Sequence, residues 1–580
     1  MSEPFSMPMS RVSEVLDPFR ESLAHLRFPL EVGGVEDVEL TYQDVLNQLD
    51  DYVIPRYNSL DAPLLAVFGG STGAGKSTLI NSIVGEVVAL ASAIRPTTRR
   101  PLLLYNSEDE QWFTDQRIFP HLARVSSHGP NDLRSTGEAG NELEIRGTHL
   151  VPRGMALLDS PDIDSVVVEN RQLAAQFLAA ADLWVFVTTA ARYSDAIPWA
   201  MLDDAAERNV VIGIILNRVP AGTGAEVRSD LYRMLAERGL EHAPLFMLSE
   251  QQLDDEGRVS ATDIAPIRGW LEGLAADAAV RASVARQTLS GTVDSLVRNS
   301  EYILAGYDQQ IEGSDSLRWD VNSAYEGALQ SISRDVSDGS MLRGEVLARW
   351  QDVVGTGEWA RKLEQGVSTI RDRISGFFRA AVDTKPVEDA IEDNLYTLIM
   401  SEADQANTRV TDAWSRGIAR DVAATAHDSL RSPEDRSEQA AHLVREWQND
   451  LIAMIRDEGE GKRMTARALA FSVNAIGTAL IIVVFASTGG LVGGEIAVAG
   501  GTAVVAQRVL EAVFGDDAVR RMATQAREGL EKRVSEFLAE DKGVWLHALE
   551  ELGVNRELRG TYANALAALV EAKSADGRTL

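Results

Sequence analysis

Gly70, Ser71, Thr72, Gly73, Ala74, Gly75, Lys76 and Ser77, with Thr78 after them, have the spacing G-x-x-x-x-G-K-[ST]. In a strand-loop-helix setting that spacing makes a phosphate cradle: glycines let backbone N–H groups close on phosphate oxygens, and a helix N-terminus adds positive potential. Lys76 would reach the β- and γ-phosphates, and the Ser77 hydroxyl would ligate Mg²⁺. The setting is present, because an apolar run (64–68) precedes the loop and a helical pattern (79–84) follows it. The alternative, a glycine-rich turn that binds nothing, leaves that setting unexplained.

Four more loops follow apolar runs or lead into them. Arg95-Pro96-Thr97-Thr98-Arg99-Arg100-Pro101 leads into the run 102–105, and a threonine hydroxyl there can ligate Mg²⁺ beside the γ-phosphate. The same threonines could simply begin a strand. Asp159-Ser160-Pro161-Asp162 follows the run 155–158, which puts Asp159 where a strand-end acid holds the water shell of Mg²⁺. Asn217-Arg218-Val219-Pro220 follows 210–216, and Ser249-Glu250 follows 245–248. Asn217, Arg218 and Ser249 are therefore candidates for a pocket around the base.

The elements that must position these loops alternate. Apolar runs at 64–68, 102–105, 155–158, 183–188, 210–216 and 245–248 are separated by helical patterns near 76–84, 169–181, 198–207 and 228–238. That alternation predicts an α/β P-loop domain, a mostly parallel sheet with helices on both faces and its ligand at the carboxyl ends of the strands.

Composition narrows the partners. A net charge of −31 with no long basic run argues against nucleic acid, and the absence of cysteine excludes disulfides and thiol chemistry. At 580 residues the chain exceeds one core. Acids at Glu3, Glu14, Asp17 and Glu21 and the lack of an apolar core in the first thirty residues argue against a secretory leader, so a cytoplasmic start is expected.

Outside 61–272 the period is helical. Residues 1–60 carry stripes such as Val12, Leu16, Phe19 and Leu23, expected to pack on helices far downstream and so to join a bundle. Residues 273–466 read as a long helical bundle or stalk with breaks at 313–316, 355–357, Lys385-Pro386 and Ser432-Pro433, and with Trp319, Trp350, Trp359, Trp414 and Trp447 as core. Residues 509–580 read as returning helices. Between them, 467–508 forms an apolar helical hairpin. Its run 468–494 has no charged residue, and the 19-residue arm 469–487 would be roughly 28 Å long as a helix. Leu480, Ile481, Ile482, Val483, Val484 and Phe485 on that arm, with Leu491 and Val492 at the glycine-rich turn, are the candidates for a membrane contact. Flanking Lys462, Arg463, Arg467, Arg508, Arg520 and Arg521 suit entry from the cytoplasmic side of the cell membrane. A buried helical pair inside the bundle is the alternative.

Thr98-Arg99-Arg100-Pro101-Leu102 resembles the switch-I signature of the dynamin superfamily, and Gly69 to Ser77 resembles its first phosphate loop. With the helical region and the apolar hairpin, the chain is similar to bacterial dynamin-like proteins, particularly those of actinobacteria. The resemblance implies GTP as substrate, Mg²⁺ as cofactor, and Lys76, Ser77, Thr98 and Asp159 in the phosphate and metal roles. It also implies a lipid bilayer as partner and association of nucleotide domains, with another copy or with a related second chain. The function implied is GTP hydrolysis that remodels, tethers or fuses membranes; a membrane-anchored regulatory switch and a nucleotide-binding scaffold with little turnover are the alternatives.

The chain also departs from the family. Asp162 stands where the D-x-x-G motif ends in glycine, Arg218 and Pro220 replace the lysine and the guanine-reading aspartate of [NT]-K-x-D, and Thr72 and Gly73 replace a Gln-Ser pair. These departures predict slow turnover by the isolated chain and leave the choice between GTP and ATP open.

Overall fold

β1 (Leu64–Gly70) is buried at all seven positions, as a strand covered on both faces must be, and it forms the centre of the nucleotide sheet. The computed structural model describes residues 11–89, 101–114, 118–119, 121–127, 142–165, 168–338, 341, 345–354, 384–461, 473–486, 506–508, 510–511 and 513–576. Thr98, Trp359, the glycines at 355–357, Leu491 and Val492 lie outside the described residues. Among those described, eight strands form one sheet in the order β3-β4-β2-β5-β1-β6-β7-β8. They are β2 (Leu102–Asn106), β3 (Ala123–Ser126), β4 (Glu142–Thr148), β5 (Met155–Asp159), β6 (Leu183–Thr189), β7 (Val211–Val219) and β8 (Leu245–Ser249). Every pairing is parallel except β2 with β5.

The chain divides into two compact units, one of Met1–Leu26, Gly34–Asp308 and Asn555–Leu580, the other of Arg27–Gly33 and Gln309–Val554. In the first, α1 (Arg11–Ala24) is followed by α2 (Val35–Gln48), a π turn and the short α3 (Ile54–Tyr57). Around the sheet come α4 (Lys76–Val84), α5 (Val168–Ala179), α6 (Ala196–Glu207), α7 (Gly224–Ala236) and α8 (Ala261–Ala276). α9 (Ala278–Ser337) contributes its residues up to 308 here and the rest to the second unit. The last described helix, α16 (Arg556–Asp576), returns to the first unit and packs on α1, where Phe19 stacks on Tyr562 with ring centroids 5.6 Å apart. The downstream partner expected for the first apolar stripe is therefore this final helix.

The second unit holds α10 (Glu345–Val354), α11 (Lys385–Ser415), α12 (Arg420–Asp428), α13 (Pro433–Gly461), α14 (Val473–Ala486) and α15 (Asp516–Glu551). Trp350, Trp414 and Trp447 lie in the core as expected, but Trp319 is 66 % exposed. The break expected at 313–316 is absent as well: α9 is continuous there, and Gly313 leaves room for Ile418, whose Cδ1 would sit 2.7 Å from a Cβ at that position.

α14 corrects the reading of the apolar arm. Leu480, Val484 and Phe485 are fully buried, and Ile481, Ile482 and Val483 nearly so, in the core that α13 and α15 share with α14. Phe485 stacks on Trp447 at 5.8 Å. A helix of 14 residues that is apolar on every side can be covered by protein as well as by lipid, and here protein covers it. Among the described residues no helix is long and apolar enough to cross a membrane.

Candidate functional site

The phosphate loop joins β1 to α4 as the sequence implies, and two of its glycines are there for want of space. A Cβ on Gly70 would stand 2.0 Å from the Val187 carbonyl oxygen of β6, and one on Gly75 would stand 2.7 Å from the Asn217 amide. Gly75 is also left-handed, at φ 96°, where the chain turns into α4. Asn217, at the end of β7, donates its amide to the Ala74 carbonyl at 2.9 Å. Its position beside the P-loop thus follows from parallel pairing that carries β6 and β7 out to the same edge.

The structure brings Ser77 and Asp159 together. The Ser77 hydroxyl donates to Asp159 Oδ2 at 2.6 Å, joining the start of α4 to the end of β5. Asp159 is 2 % exposed, and burial raises its carboxyl from 3.8 to about 6 against the opposing influence of the Ser77 hydrogen bond and Lys76. Its second oxygen, Oδ1, is buried with no partner among the described residues. One hydroxyl and an orphaned carboxylate oxygen are hard donors that suit Mg²⁺, which uses few protein ligands and completes its shell with water and phosphate. The residues present therefore fit the cation.

The loop after Asp159 is pinned onto the P-loop. Ser160 Oγ donates to the Phe68 carbonyl at 2.8 Å, the Ile163 N–H reaches the Gly70 carbonyl at 3.4 Å, and the Thr72 N–H and hydroxyl donate to Asp164 Oδ1 at 2.6 and 2.8 Å. Arg192, on the loop after β6, bridges the Thr72 carbonyl at 3.1 Å and Asp164 Oδ2 at 2.5 Å. Burial alone would raise the Asp164 carboxyl, but the Thr72 hydrogen bonds and Arg192 hold it below the usual carboxylate range. Between these anchors Asp162 places Oδ1 2.5 Å from Lys76 Nζ, which also donates to the Gly70 carbonyl at 3.0 Å.

The base-side candidates fare unevenly. Arg218 is exposed, with φ 54°, and its N–H is held by the Asn217 side chain. Ser249 is exposed at the end of β8, in register with Val219. These two share the carboxyl edge of the sheet with the P-loop, and neither makes a hydrogen bond or ion pair to it among the described residues. Asp164 and Arg192 were not singled out from the sequence: neither belongs to a motif, and only the fold brings positions 72, 164 and 192 together.

Comparison with known proteins adds the following. Residues 65–197 match the family model described as "Dynamin family". No curated protein matches the chain. Two solved structures from work on an oligomerised bacterial dynamin pair, described as a mechanism for long-range sensing and tethering of membranes, align at 11 % identity. One covers 100 % of this chain and 96 % of its own with a TM-score of 0.41, the other 99 % and 96 % with 0.42. The family match falls on the segment that carries the P-loop, the Ser77–Asp159 pair and the loop from Ser160 to Asp164, and over residues 65–197 the chain is similar to the dynamin family.

Proposed function

We propose that the chain is a GTPase that cleaves the β–γ phosphoanhydride of GTP and works as a self-associating assembly on a lipid bilayer, at the cytoplasmic face of the cell membrane, to remodel, tether or fuse membranes. The observation that carries the enzymatic part is the Ser77 hydroxyl against a buried Asp159 with an unpartnered oxygen, inside the dynamin-family segment. Gly70 to Thr78 would bind the phosphates, Lys76 would neutralise their charge, and Ser77, Asp159 and Thr98 would hold the metal. Bound Mg²⁺ would offset charge that builds up on the phosphate oxygens. Asn217 braces the P-loop from the base side through Ala74. The membrane part rests on the uncharged run 468–494 and on the family resemblance; α14 would have to leave its partners before lipid could cover it.

A second reading, a nucleotide-binding scaffold with little turnover, is favoured by the Lys76–Asp162 pair, which occupies the P-loop cation. Turnover of GTP and ATP, with and without liposomes, across a range of protein concentrations separates the two. Activity per chain that rises with concentration and lipid is expected, and Lys76→Ala should abolish it. A rate per chain independent of both would leave the scaffold reading.

A further inference from the structure

We propose that Asp162 is a specificity-determining residue that sets the chain's discrimination between nucleoside di- and triphosphates by occupying the place of the third phosphate. The inference rests on the nucleotide-binding reading above and extends it. A P-loop lysine serves the β- and γ-phosphates, while the loop's backbone N–H groups cradle the inner phosphates. Here the ammonium of Lys76 already has an anionic partner in Asp162 Oδ1, and both side chains are largely withdrawn from water, at 4 % and 14 % exposure.

The carboxylate is held in place by its surroundings. Upstream, Ser160 is fixed to the Phe68 carbonyl. Downstream, the Ile163 N–H bonds Gly70 with its side chain fully buried, and Asp164 is bound by Thr72 and Arg192. Anchors on both sides leave Asp162 little room to retreat unless the loop lifts as a whole.

A diphosphate ends before this carboxylate and can still share Lys76. A triphosphate brings a further anionic group toward it, and like charges close together in a site shielded from water repel strongly. The resting chain therefore favours the diphosphate, and triphosphate binding requires Lys76 to exchange Asp162 for the γ-phosphate.

The test is binding of GDP and of guanosine 5′-(β,γ-imido)triphosphate, and of the adenine pair, with Mg²⁺ to the full chain and to Asp162→Asn, Asp162→Gly and Asp162→Glu. Removing the charge should raise the ratio of triphosphate to diphosphate affinity at least about tenfold, the equivalent of ~1.4 kcal/mol. The glutamate variant, which keeps the charge, should stay near the wild-type ratio. A variant that merely disturbs the fold would lower both affinities together and leave the ratio unmoved. The proposal is overturned if the asparagine and glycine variants keep the wild-type ratio while binding the diphosphate as tightly as the unaltered chain, or if the glutamate variant shifts as they do. If the unaltered chain binds neither nucleotide of either pair, the proposed function fails and this inference with it.

Discussion

The Asp159 carboxyl is held away from its ordinary value by its surroundings. Its ordinary value of 3.8 rises to about 6 because it is buried at the end of β5. Between roughly pH 4 and pH 6 the folded chain keeps a proton that the unfolded chain has released, so stability falls as pH rises through that window, with the cost fully present above it. Two pKa units correspond to roughly 3 kcal/mol. Asp159→Asn should therefore raise the urea midpoint of the nucleotide-free chain at about pH 8 while changing it little at about pH 4; equal shifts at both would deny the buried charge. The same substitution should remove Mg²⁺-dependent turnover, and in the unaltered chain that turnover should fall toward acid pH, where a proton competes with the cation for the carboxyl. Asp159, Lys76 and Ser77 were legible because each sits at a fixed offset from a glycine pattern or a strand end. Asp164 and Arg192 were not, since their partnership with Thr72 depends on a long-range meeting of loops.

Elements show the same division between local pattern and long-range circumstance. β1, β5 and β6 announce themselves as unbroken apolar runs because both of their faces are buried. β4 escapes such a reading because Glu142 and Glu144 interrupt Leu143 and Ile145, and β3 at the sheet edge is largely exposed. Gly313 looks like a helix break but is a point of close approach, a distinction that depends on what lies opposite. Gly313→Val should cost about 1–3 kcal/mol in chemical denaturation, since Ile418, Leu30 and Val32 all crowd the added side chain. An exposed break, by contrast, would tolerate valine. For α14 the sequence left two environments open, lipid and protein, because a helix apolar on every side satisfies both. Phe485→Ala should destabilise the second unit by ~3–5 kcal/mol, as loss of a buried aromatic does; unchanged stability together with weakened liposome binding would return this side chain to the membrane.

For the whole molecule, the decisive measurement is liposome flotation in high salt, with and without nucleotide. If lipid contact requires α14 to leave the core, flotation should be weak in the nucleotide-free chain, should strengthen with triphosphate, and should persist in salt because the net charge of −31 provides no general attraction to anionic lipid. Binding that salt abolishes would point to the flanking arginines alone. The union of α1 with α16 has a different consequence. The Arg11 N–H donates to Asp576, a partner 565 residues away in sequence. At about 5–20 residues per second a ribosome needs on the order of 30–110 s to deliver that partner. Throughout that delay the stripe of α1 lacks the helix it packs on, so the first unit completes its packing only after α16 has been synthesised.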